Sequence, residues 1–97
     1  MKVGYTFKIT VRHIGWIHLV VVKIRETPSF EFFEVCAKNR SLIIKGNRPI
    51  LKQMNLKSKP IKWQLIEGTL THIDLLEKIC KLIDVEVRKS DRYSPYD

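Results

Sequence analysis

The stretch Trp16-Ile17-His18-Leu19-Val20-Val21-Val22-Lys23-Ile24-Arg25 decides the fold. Successive side chains on a strand point to opposite faces of a sheet. Trp16, His18, Val20, Val22 and Ile24 therefore share one face, and Ile17, Leu19, Val21, Lys23 and Arg25 the other. Both sets are apolar in the middle, the pattern of a central strand covered on two sides. The apolar run Ile14 to Val22 holds His18 and is closed by Lys23. It is far short of the ~20 apolar residues that cross a bilayer, so it reads as a buried strand.

The flanks extend this into a sheet. In residues 3–12, Val3, Tyr5, Phe7, Ile9 and Val11 alternate with Thr6, Lys8, Thr10 and Arg12, the period of a half-buried strand. A tight turn or bulge is expected at Gly15. Thr27-Pro28-Ser29 is a turn, because proline fixes φ and cannot donate to a ladder. In residues 30–36, Phe30, Phe32 and Cys36 lie on one face of a third strand, Phe33 and Val35 on the other. Ala37-Lys38-Asn39-Arg40 turns into a short fourth strand, Ser41 to Lys45, which Gly46-Asn47-Arg48-Pro49 breaks. Residues 49–56 fit either an edge strand or a short helix. The spacing of Ile50, Leu51 and Met54, with Pro49 at a first helical position, favours the helix. A fifth strand, Ile61 to Glu67, turns Ile61, Trp63 and Leu65 inward.

Residues 72–84 carry a helical stripe of Ile73, Leu76, Ile79, Cys80 and Ile83, widened by Leu75 and Leu82. Thr71 suits the N-cap. Asp74 with Lys78 and Glu77 with Lys81 have the i,i+4 spacing of helical ion pairs. Leu76 is expected in the seam with the sheet. Val85-Glu86-Val87 reads as a short extra strand, and residues 88–97 as a polar, flexible tail with Tyr93 and Tyr96. The chain has 97 residues, enough for a single domain, here 1–87.

Strands followed by one helix give an α+β class with an antiparallel sheet of about five strands. One helix covers only one face, yet strands two and three are apolar on both. The expectation is a strongly curved sheet, a partial barrel, with the C-terminal helix packed on it. A homodimer through the second face is the alternative.

Charge points to the partner. The chain carries 18 Lys+Arg against 10 Asp+Glu, a net charge of +8. Between Val35 and Ile66 lie Lys38, Arg40, Lys45, Arg48, Lys52, Lys57, Lys59 and Lys62, with no acid among them. The remaining basic residues balance the acids, so the whole excess sits in this middle third. Such residues neutralise phosphates and release counterions. The expected function is sequence-independent nucleic-acid binding through the phosphate backbone. The rival is a protein–protein interaction module or homodimer that uses an apolar sheet face or edge. Convergence of the basic turns on one surface discriminates between them.

Little in the sequence suggests catalysis. It has no GxSxG, phosphate loop, HExxH or paired carboxylates of familiar spacing, so a non-enzyme with no cofactor, metal or small-molecule substrate is expected. His13 and His18 fall on opposite faces of a strand and cannot share a metal; His72 reads as a surface residue. Trp63 goes with the core by parity, while Trp16 is undecided. Cys36 and Cys80 show no CxxC spacing and read as buried free thiols. The N-terminus has no signal-peptide core, which makes the cytoplasm the expected compartment.

Overall fold

The computed structural model of the protein describes residues 3–56, 58–70 and 72–92, without the side chains of residues 90–92. The expected cap Thr71, the candidate Lys57 and the tail tyrosines Tyr93 and Tyr96 lie outside the described residues. The elements in chain order are β1 (Thr6–Arg12), β2 (Trp16–Glu26), β3 (Glu31–Cys36), β4 (Ser41–Gly46), α1 (Arg48–Gln53), β5 (Trp63–Glu67) and α2 (Ile73–Arg92). The strands form one antiparallel sheet in the order β1-β2-β3-β4-β5, so the class is α+β.

The inner-face alternation is realised from Phe7 onward, while Val3 and Tyr5 at its start are exposed and precede β1. Phe7, Ile9 and Val11 of β1, Leu19 and Val21 of β2, Phe33 and Val35 of β3 and Ile44 of β4 are buried in one core. Ile79, Cys80, Ile83 and Val87 of α2 cover them, with Leu51 of α1 and Ile61 at the margin. Pro49 opens α1 as expected, where its missing N–H costs no helical bond. Trp63 belongs to this side: its ring stands 6.0 Å from that of Phe33. It lies over Gly46, its partner across the ladder, where an added Cβ would come within 2.8 Å of the ring.

Four expectations need correction. The sheet does not close or curl into a partial barrel: β1 and β5 are its edges. Val85-Glu86-Val87 is not a strand. α2 runs on to Arg92, past the helix expected over 72–84, because the apolar stripe continues with Val87, which is fully buried. Arg25 does not share a face with Lys23. The register shifts between them, so Lys23 faces Phe33 and Arg25 faces Phe32 on the other side. The extra residue, Ile24, resets the strand's alternation, as a bulge does. The helical pairs Asp74–Lys78 and Glu77–Lys81 are not those that form. Lys78 instead donates to the Arg12 carbonyl at 3.1 Å, and Asp84 pairs with Arg88.

Candidate nucleic-acid interface

With the helices on one face, no element among the described residues covers the second sheet face. Its residues follow from the register. Thr6, Val22, Glu34, Ile43 and Glu67 form one row across the strands, and Lys8, Val20, Cys36 and Ser41 the next. Arg12 pairs with Trp16 at one end, and Arg25, Phe32, Lys45 and Gln64 line up at the other. Trp16 is 66% exposed.

Cations sit against rings along this face. The Arg12 guanidinium lies 5.8 Å from the Trp16 centroid, that of Arg25 lies 5.4 Å from Phe32, and the Lys45 ammonium lies 4.2 Å from Phe30. Such contacts let a long basic side chain cover apolar surface while its charge stays in water. This is how the half-buried Phe30 and Phe32 coexist with solvent. Lys8, Arg12, Arg25 and Lys45 outnumber Glu34 and Glu67 on the face. His18 joins them, its Nδ1 3.3 Å from the Thr10 hydroxyl. His13 lies instead in the β1–β2 turn, its ring 5.0 Å from that of the exposed His72.

The eight sequence candidates do not gather in one place. Lys38 and Arg40 are exposed in the β3–β4 turn, at the end of the sheet that holds Arg12 and Trp16. Lys52 on α1, Lys59 and Lys62 are exposed at the opposite end, beside Arg25 and Lys45. The length of β4, roughly 20 Å at about 3.4 Å per residue, separates the two groups. Only Lys45 is on the face itself. Lys57 is outside the described residues.

Arg48 leaves the set. It is 6% exposed and clamps Glu31 with two hydrogen bonds, Nε to Oε1 and Nη2 to Oε2, both 2.6 Å. Its Nη1 reaches the Val87 carbonyl at 3.4 Å, which ties α1 and β3 to α2. Lys23, 0% exposed, donates to Glu31 Oε2 at 2.8 Å and also to Glu26. Burial pushes the Glu31 carboxyl up, but the bonds and charges of Arg48 and Lys23 outweigh it and hold it below the ordinary carboxylate range. Parity already set Lys23 with Leu19 and Val21, and Glu31 shares the parity of Phe33 and Val35. That was the available signal for this buried cluster. The exposed cations Lys8, Arg12 and Arg25 lie outside the acid-free window of the sequence, and only the pairing of strands brings them to one face.

Both cysteines are free, on opposite sides of the sheet. Cys80 in the core has its thiol pushed up to about 12 by burial and then by the Glu77 charge. Among the described residues no three His, Cys, Asp or Glu side chains are grouped to hold a metal, and no helix is long and apolar enough to cross a membrane. No family model, curated protein or solved structure matches the chain.

Proposed function

We propose that this protein is a non-enzymatic nucleic-acid-binding protein that holds a single strand across its uncovered sheet face. One observation carries the reading: four cations share that face with an exposed tryptophan, and three of them lie against aromatic rings. Phosphates are met by Lys8, Arg12, Arg25 and Lys45, while bases stack on Trp16. A stacking platform in a positive field is sequence-tolerant, since every base has a π-face. Lys38 and Arg40 at one end, with Lys52, Lys59 and Lys62 at the other, extend the positive path beyond the face. The partial basic cluster of the sequence then acts as two flanks of the site rather than as its centre.

The test is a salt series with oligo(dT), duplex DNA and RNA. Four phosphate contacts on a single strand give a slope of log affinity against log salt near −3. Replacing Arg12 and Arg25 by Ala should flatten it by about 1.4. Trp16→Ala should weaken binding by about 1–3 kcal/mol without altering the slope. Absence of association with any of the three polymers at low salt overturns the reading.

A further inference from the structure

A small cavity opens on the core side of the sheet, at the end that holds the β3–β4 turn. It measures about 170 Å³ and lies between β2, β3, β4 and the first turns of α2. Leu19, Val35 and Ile79 are buried and form its floor, and half-buried Leu70 and Leu75 form one wall. The exposed residues Ala37, Arg40, Ser41 and Thr69 form its mouth. At Gly68 the chain turns tightly against Leu42 and the Ser41 carbonyl, which brings Thr69 there. The mouth carries one sign of charge. Arg40 is its cation, Lys38 stands two residues away in the same turn, and no acid lines the cavity. The neighbouring acids are on other surfaces. Glu34 and Glu67 share the row of Ile43 on the open face, and exposed Asp74 lies on the side of α2 opposite the buried Ile83. Among the described residues no hydrogen bond or ion pair occupies the side chains of Arg40, Ser41 and Thr69.

We propose that this cavity binds a small monocarboxylate whose apolar body is one ring or chain of about six carbons. Protein interiors carry few voids larger than a water molecule. An apolar hollow of about 150 Å³ takes up benzene, so the 170 Å³ here matches a body of that size. The carboxylate stays at the mouth, where the Arg40 guanidinium presents two parallel N–H donors to its two oxygens. The Ser41 and Thr69 hydroxyls donate to lone pairs that remain. Apolar walls with a few convergent polar groups are the general make-up of small-molecule sites. A cation of the same shape would meet Arg40 as a like charge, and a longer body would leave apolar surface in water. No motif marks the site, because its walls come from four elements spread along the chain.

Benzoate is the probe, and benzylamine is the same ring with the opposite charge. Methyl NMR spectra of the full chain read the site. Saturable benzoate binding at millimolar concentration or below is expected. Ring-current shifts and ligand contacts should fall on the Leu19, Val35 and Ile79 methyls and spare Val87, at the other end of the core. Arg40→Gln should weaken benzoate by about fivefold or more, and Arg40→Lys by less. Ala37 is exposed and shares the parity of Val35, so Ala37→Phe should block the mouth while leaving thermal stability and oligo(dT) binding unchanged. Trp16→Ala with Arg25→Ala, which removes the strand-binding contacts of the open face, should leave benzoate binding intact, so the two readings fail separately. Any of four results overturns the proposal: no saturable shift with benzoate at tens of millimolar, shifts centred on other methyls, benzylamine bound as tightly as benzoate, or benzoate binding that survives both Arg40→Gln and Ala37→Phe.

Discussion

Glu31 shows what one buried carboxylate does when three elements converge on it. Arg48 binds it bidentately and Lys23 shares one of its oxygens. Removing the carboxylate takes from two buried cations the anion that both of them bind. Glu31→Gln should therefore cost about 3–5 kcal/mol, measured by urea unfolding. The sign of its pH dependence follows from its lowered folded value. Its contribution is complete above the unfolded value of about 4.3 and is lost as pH falls through the folded one. Wild-type stability should drop steeply on that acid side, and the Gln variant should show a flatter acid limb. The cysteines differ in the same way by location. Cys36 is half buried on the open face and Cys80 is in the core. A thiol reagent should label Cys36 first and reach Cys80 only on unfolding, by mass spectrometry.

α2 is held by its inner stripe. Ile83 and Val87 are fully buried and Ile79 nearly so, while Leu76 is only half buried. Ile83→Ala should cost about 2–5 kcal/mol in thermal or chemical denaturation. Leu76→Asp, which the sequence placed in the centre of the seam, should cost less than Ile83→Asp. Two turns depend on backbone geometry. Gly68, after β5, has φ +95°, and an added Cβ would come within 2.8 Å of Leu42 Cβ and 3.1 Å of its Cα. Gly68→Ala should therefore destabilise by more than about 1 kcal/mol, since both conformation and space oppose it. Ile14, with φ 57° in the β1–β2 turn, carries the same strain without crowding. Ile14→Gly should be neutral or stabilising there.

The open sheet sets how charge is distributed over the whole molecule. The β3–β4 turn and the α1 side lie at opposite ends, so Lys38 and Arg40 act independently of Lys52 and Lys59. Charge removal at the two ends should lower oligo(dT) affinity additively, within about 0.5 kcal/mol, because roughly 20 Å separates them. Coupling larger than that would mean that the ends approach each other around a bound strand.

The class and much of the core were legible from local pattern. Period-two runs named Phe7, Ile9 and Val11 and set Leu19 with Val21 and Phe33 with Val35 on shared faces, and the helical stripe named Ile79, Cys80 and Ile83. These are local patterns, and one buried face enforces them. The sequence also anticipated two apolar faces in β2 and β3. Tertiary structure alone decided what became of the second face. Whether a sheet closes depends on the pairing of β1 with β5, which no local pattern encodes. Tertiary structure also sorted the basic residues. Arg48 was counted with the phosphate ligands by its place in the chain, but Glu31, 17 positions earlier, took it into the core. The bulge at Ile24 put Arg25 on the open face. Charge along a chain reads only as composition, and a surface is made by register, which a single inserted residue reverses.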